Sequence, residues 1–377
     1  MRIRYFFLAT LCLLQLSLIP TYGSTTKRLL PLPTDSKVTS KPKNPDHFTF
    51  VVTGDNRAAG KNLPMPPTLD RICTEIGLLR PAFTLWTGDA IYGADDTVAE
   101  ANAEYDEFLK TASKTQGPIY NAPGNHEISD RVDLEQLYKQ RMGPLYGSFD
   151  FGNSHFIALN TEEMNLGGGI GKDQFTWLQQ DLDTNARSAH IFVFMHHPLF
   201  PKPGEKEGWQ DATMRDAVHR LFVSHKVSAV FSGHEHLYYH SNHDGVEYYI
   251  SGGAGAPTDA SPEDGGYQHY MLLEVDGSKF SATIMQPWRL FAAPSNANTG
   301  ATQISNYNNN DVEVSLAIAV SGNKAGLTAE AVSTYKGKSK RIDAVIVNSD
   351  LSRTGSVIVK VKVPAHRSAV VSVTAAR

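Results

Sequence analysis

Between Phe48 and about Met285 the chain alternates two hydrophobic patterns. Short apolar runs predict strands at 48–53, 82–87, 118–121, 155–160, 190–195, 227–232, 246–251, 269–275 and 279–285. Between them, apolar residues at helical spacing predict helices over 66–80, 97–112, 133–141, 171–183 and 211–225. The last carries Met214, Ala217, Val218, Leu221 and Phe222 on one face, behind an acidic residue at its start. Strands interleaved with helices specify an α/β domain, placed at 47–290. The pattern then changes. Residues 291–311 are rich in Asn, Ser, Ala and Thr and read as a linker. Beyond it, β-branched runs at 312–320, 327–333, 342–348, 356–363 and 369–374 are separated by turn signals, which predicts a small all-β, sandwich-like module over 312–377.

The N-terminus has a third pattern. Arg2 and Arg4 precede an apolar run over 5–19, and Thr21 and Gly23 are small enough for cleavage before Ser24. Residues 1–23 therefore read as a signal peptide and 24–46, rich in Pro, Thr and Lys, as a flexible arm. The run is short for a bilayer span, and no later stretch reaches ~18–20 apolar residues, so no transmembrane span is expected after cleavage. Cleavage removes Cys12 and leaves Cys73 without a disulfide partner. With no Asn-x-Ser/Thr acceptor either, the expectation is a bacterial protein, exported to the periplasm or secreted.

Composition narrows the function classes. The 377 residues are 41% hydrophobic and 20% charged, which excludes a disordered chain or a coiled coil. The formal net charge of -4 provides no overall field for nucleic acid or anionic lipid, so a nucleic-acid scaffold role is excluded. An anionic substrate would need local positive charge.

Five predicted strands each end in metal-ligating residue types. They lead to Gly54-Asp55-Asn56, Gly88-Asp89-Ala90-Ile91-Tyr92, Gly124-Asn125-His126-Glu127, Phe194-Met195-His196-His197-Pro198 and Gly233-His234-Glu235-His236. Ligands bind at the carboxyl ends of strands in open α/β sheets, so the five ends can converge. Carboxylate, imidazole, amide oxygen and phenolate suit hard to borderline cations. His234 and His236 can face two different ions, and the two oxygens of Asp89 can bridge them. A pair of metals ~3.5–4 Å apart generates hydroxide near neutral pH and stabilises both oxygens of an in-line displacement at phosphorus.

In these five blocks, in this order over roughly 48–285, the sequence resembles the calcineurin-like metallophosphoesterases. Many of that family carry Asp-x-His in the first block, whereas this chain has Asp55-Asn56-Arg57. Purple acid phosphatases share that departure and use a Tyr three residues after the bridging Asp, where this chain has Tyr92. The resemblance implies a four-layer α-β-β-α sandwich with the small β domain appended. It implies a first metal on Asp55, Asp89, Tyr92 and His236 and a second on Asp89, Asn125, His196 and His234. The pair expected is Fe(III) with a divalent Fe, Zn or Mn. His126 would face the substrate phosphate and protonate the leaving oxygen, and Glu127 would support an imidazole. His197 and Arg57 are further candidates for holding substrate. For His197 simple packing is an equal reading, and for Arg57 a salt bridge is.

The function expected is thus an exported, acid-phosphatase-like phosphomonoesterase with a metal-bound hydroxide as nucleophile. The same ligands serve phosphodiesterases of nucleotides or phospholipid head groups, which differ in the cleft walls, here 161–171 and 201–210. A non-catalytic surface-binding protein would be expected to lose ligands, and none is missing. The β module remains open to attachment to a surface polymer or partner.

Overall fold

The computed structural model describes residues 32, 44–204, 208–296, 301–320, 326–335, 338–348 and 355–375. The expected leader at 1–23 and nearly all of the arm at 24–46 lie outside these residues. No helix among the described residues is long and apolar enough to cross a membrane.

The α/β domain runs in the order β1 (His47–Thr53), α1 (Pro67–Leu79), β2 (Thr84–Trp86), α2 (Val98–Ala112), β3 (Ile119–Asn121), α3 (Asn125–Ile128), α4 (Val132–Arg141), β4 (Gly147–Phe151), β5 (Ser154–Ala158), α5 (Lys172–Asn185), β6 (His190–Phe194), α6 (Ala212–Ser224), β7 (Ala229–Ser232), β8 (Tyr238–His243), β9 (Val246–Ser251), β10 (Tyr270–Asp276) and β11 (Lys279–Met285). One sheet has the order β11-β10-β1-β2-β3 and the other β4-β5-β6-β7-β9-β8. Of the strands that carry the five blocks, β1, β2 and β3 run parallel to one another in the first sheet and β6 and β7 in the second, while β1 pairs antiparallel with β10 on its other side. Their carboxyl ends therefore open on one side.

The two sheets meet through phenylalanine. Phe50, Phe83, Phe156, Phe192 and Phe231 are buried between them. Phe50 stacks on Phe83 at 5.5 Å between centroids and meets Phe156 edge-on at 5.3 Å. Such rings bury large areas and favour offset and edge-on geometry, which fixes the sheet spacing. The outer face of the first sheet is covered by α1, α2 and α4 through Leu69, Phe108 and Tyr138. The outer face of the second is covered by α5 and α6 through Leu178, Leu182, Val218 and Phe222. The result is the expected α-β-β-α layering. Helix starts are set locally. Thr97 and Glu100 form a capping box at α2, and the Asp211 carboxylate accepts from the amides of Thr213 and Met214 at α6.

The C-terminal module is a sandwich, as the alternation predicts. It comprises β12 (Leu290–Asn296), β13 (Ala301–Asn306), β14 (Val312–Ala319), β15 (Leu327–Tyr335), β16 (Lys338–Ile342), β17 (Ala344–Asn348), β18 (Ser356–Val363) and β19 (Arg367–Ala375). One sheet is β12-β13-β19-β15-β16 and the other β14-β18-β17. The stretch 291–311 differs from its reading as a linker, because β12 and β13 pair within it and β13 pairs on with β19. Buried Asn306 orders the asparagine-rich end. Its Nδ2 donates to Asn310 O and Val363 O, while its Oδ1 accepts from the amide of Asn308.

The module shares a core with the α/β domain. Ile72, Ile76 and Leu79 of α1 and Met285 of β11 pack in one cluster with Leu290, Ile304, Val314 and Val371. Buried Glu75 ties the joint. It accepts from Arg71 Nε (2.8 Å), Tyr270 Oη (2.8 Å) and the Leu290 amide (3.4 Å), while Arg71 also donates to Leu290 O.

Candidate metal centre

Backbone hydrogen bonds zip the first two strand-end loops together. Asp55 N donates to Gly88 O, and the amides of Asn56 and Arg57 both donate to Asp89 O. Asn56 braces this pair, donating from Nδ2 to Ala90 O (2.8 Å) and accepting from Trp86 Nε1 (2.8 Å). Glu127 clamps the third loop to the second by accepting from the amides of Asp89, Ala90 and Gly124. The expected support of an imidazole by Glu127 is thus replaced by a backbone clamp, which burial and the nearby Asp89 carboxylate push up to about 8.

The donor atoms converge on this scaffold. His196 Nε2 lies 2.9 Å from Asn125 Oδ1 and 3.4 Å from Asp89 Oδ1. His234 Nδ1 lies 3.1 Å from Asn125 Oδ1 and 3.2 Å from His196 Nε2. His236 turns the other way, its Nε2 3.7 Å from Asp55 Oδ1 and its Nδ1 fixed on Pro257 O at 2.7 Å. Asp55, Asp89 and His196 form one trio, and His196, His197 and His234 another, each with ligand atoms within 4.8 Å of one another. Asp55, Asp89 and His196 are buried.

Electrostatics follow from burial. Asp55 is pushed well up by burial and then by Asp89. At Asp89 burial is outweighed by His196, His126 and Arg57, which hold the carboxyl below its usual range. His234 is held well down by burial and by His197 and His196, so it stays neutral and able to ligate.

With the geometry in place, relatives can be compared. The family described as Calcineurin-like phosphoesterase matches residues 38–238, more than half of the chain. The chain belongs to the calcineurin-like phosphoesterase family. It is similar to the phosphoenolpyruvate phosphatase of Allium cepa, with 27% identity over 249 residues that cover 59% of this chain and 49% of the relative. It is similar to purple acid phosphatase 22 of Arabidopsis thaliana, with 27% identity covering 51% of this chain and 39% of that protein. The chain therefore spans half or less of the length of these curated relatives. Among solved structures, the purple acid phosphatase from yellow lupin (Lupinus luteus) seeds matches with a TM-score of 0.52 and 15% identity, covering 70% of this chain and 52% of that one.

The calcineurin-like phosphoesterase expectation of two metals fits the residues present. Asp55 Oδ2 is buried and has no hydrogen-bond partner, an oxygen placed as a cation ligand would be. Glycines keep the space open. A Cβ on Gly233 would sit 2.1 Å from Asp55 Oδ2, and one on Gly124 2.3 Å from Asp89 Oδ1. Asp55, Asp89, Asn125, His196, His234 and His236, drawn from five loops, are brought together.

The remaining candidates lie around them. Tyr92 stands beside His126, ring centroids 5.4 Å apart, and its hydroxyl makes no hydrogen bond to Asp55 or Asp89 among the described residues. Half-buried His126 places Nδ1 against Tyr92 O. Arg57 Nε lies 3.4 Å from Asp89 Oδ2, so of its two readings the ion pair is the one seen. His197 packs on His234 at 3.8 Å between centroids, its Nδ1 2.7 Å from Glu162 Oε1.

Glu162 lies in the 161–171 stretch expected as a cleft wall, and its pairing with His197 was not expected from the sequence. Its signal lay in Thr161-Glu162-Glu163, the polar run just past β5, at the same sheet end as the other blocks. Together with Asn125, Asp130, Glu163, Gln210 and His234, residues Glu162 and His197 line a cavity of about 350 Å³.

Proposed function

We propose that this protein is a dimetal phosphoester hydrolase, acting as a purple-acid-phosphatase-like phosphomonoesterase. The observation that carries the reading is the gathering of carboxylate, amide and imidazole donors from Asp55, Asp89, Asn125, His196, His234 and His236, among which buried Asp55 Oδ2 has no hydrogen-bond partner. Asp55, Asp89, Tyr92 and His236 would hold the first cation, and Asp89, Asn125, His196 and His234 the second. Bound there, the pair supplies an ionised water near neutral pH and positive charge for the transferring phosphoryl group. The similarity to purple acid phosphatases supports Fe(III) with divalent Fe, Zn or Mn.

The chain's own side chains do the rest. With Nδ1–H of His126 donating to Tyr92 O, the ring in its imidazolium form would carry a second proton on Nε2 and pass it to the leaving oxygen. Glu162 fixes the His197 ring through Nδ1, and His197 in that orientation would help hold substrate. Arg57, ion-paired with Asp89, would in addition hold a phosphate oxygen. Among the described residues the cavity is lined by Asp130, Glu162 and Glu163 and by neither Lys nor Arg, which disfavours anionic leaving groups. The phosphodiester reading survives for cationic head groups on the same ground. The apolar run at 5–19 supports export to the periplasm or beyond.

Asn125→Ala and His196→Ala should each lower bound metal and reduce turnover at least about 100-fold, read by metal analysis beside a mono- and diester panel. Full activity in either variant removes the assignment. Tyr92→Phe should abolish visible charge-transfer colour in iron-loaded protein, and persisting colour removes Tyr92 as a ligand.

A further inference from the structure

The junction between the catalytic domain and the β module holds a second cavity, of about 350 Å³. Tyr267 and Gln286 line it from the catalytic side. Arg289, Tyr307 and the three consecutive asparagines 308–310 line it from the module side. We propose that this cleft binds saccharide.

The lining has the chemistry of that ligand class. Asn309, Asn310 and Gln286 offer paired donors and acceptors of the kind that match vicinal hydroxyls, while buried Asn308 spends its Nδ2 on Asn306 Oδ1 and Arg289 O within the turn. Two tyrosines add faces against which the C–H surface of a sugar ring packs, with a polar end on each. Among the described residues no carboxylate lines the cleft, and Arg289 is the single cationic one. A nucleic-acid strand would need several phosphates neutralised, which one guanidinium cannot do. The volume, at the small end for ligand sites, has room for one or two sugar rings.

The site is built in advance. Buried Asn306 holds the asparagine turn from within, through Asn310 O, Val363 O and the Asn308 amide. Tyr307 N donates to Arg289 O at 2.7 Å, which locks the turn to the chain entering β12. Tyr307 is 49% exposed, so its ring is available to a ligand. A turn ordered without ligand loses little entropy on binding. The cleft also leads somewhere. Tyr267 lines a further cavity with Ala59, Pro66, Ala256 and Pro257, and in that group the Ala256 amide donates to Asp55 O. A glycan chain seated at the junction would pass Tyr267 toward the metal-centre loops. The binding itself does not depend on the hydrolase reading.

The test is affinity electrophoresis of the full chain in gels containing dextran, xylan or soluble chitin oligomers, with single-stranded DNA as a parallel arm. At least one saccharide should retard the wild type. Tyr307→Ala and, separately, Asn309→Ser should weaken that retardation about tenfold while leaving metal content and thermal unfolding unchanged. Both positions are exposed, so folding is preserved. Retardation by no saccharide, by DNA alone, or equally in both variants overturns the proposal. Because metal content is read in the same samples, loss of the hydrolase assignment would register separately from loss of saccharide binding.

Discussion

Asp55, Asp89 and His234 all hold positive φ angles, of 61, 53 and 69°. Left-handed backbone is unfavourable for such residues by about 1 kcal/mol or more and persists where the surroundings over-determine it. Here the surroundings are the zipped loops, which aim donors sharply off the strand ends. Gly233 shows how little room is left. Gly233→Ala should displace the Asp55 carboxylate and lower metal affinity about 10–100-fold with circular dichroism unchanged; normal metal content would show that the loop yields. A different balance governs His155, buried between Asp181 (2.8 Å from Nε2) and Asp150 (2.7 Å from Nδ1). Burial opposes its charge, but the two carboxylates prevail and raise it above its ordinary 6.5. A raised folded-state value means that its contribution to stability is full below about 6.5 and is lost as pH climbs through the raised value. Urea midpoints should fall over that interval above 6.5 in wild type and stay flat there in His155→Gln. His155→Ala should lose about 3 kcal/mol by leaving Asp181 buried and unpaired.

At the scale of elements, the five helices and nine strands predicted for the catalytic domain are all present, within a few residues of the expected bounds. Their legibility came from strong periodicity and from caps written locally, as at Asp211. Two strands escaped. β8 (YYHSNH) is a half-exposed edge strand with little apolar signal, and β4 (GSFDF) is a short edge strand paired only with β5. β12 and β13 escaped because their composition is that of a loop, and pairing with β19 decides their state. The site divides the same way. Its donors were legible as residue types after strands, whereas Glu162 beside His197 and the backbone clamp by Glu127 depend on loops distant in sequence. The 160–171 loop is itself an element with an anchor. Gln174, in the first turn of α5, accepts from Asn160 N and donates to Asn160 O and Glu163 Oε1. Gln174→Ala should raise KM severalfold with bound metal unchanged, because the cleft wall moves while the donors stay. Unaltered KM would show that the loop is held by its other bonds.

Across the whole molecule, two cores meet the first sheet. The phenylalanine layer joins it to the second sheet, and α1 joins it to the β module. Glu75 sits where chain, helix and module touch. Glu75→Ala should cost about 3 kcal/mol by stranding Arg71 and Tyr270. Because the apolar cluster is continuous across the joint, thermal unfolding should show a single transition, and two separated transitions in calorimetry would show that the cluster divides.

That continuity bears on inheritance. A β module strung on a tether can be shuffled between genes without its neighbour noticing. This one cannot be moved so freely, because Ile72, Ile76 and Leu79 would be left facing water after its excision. Any recipient would need an outward-facing apolar stripe on the matching helix and an acid at the position of Glu75. Module and helix surface are therefore expected to be gained or lost together, and a homologue lacking the module should carry polar side chains along that stripe.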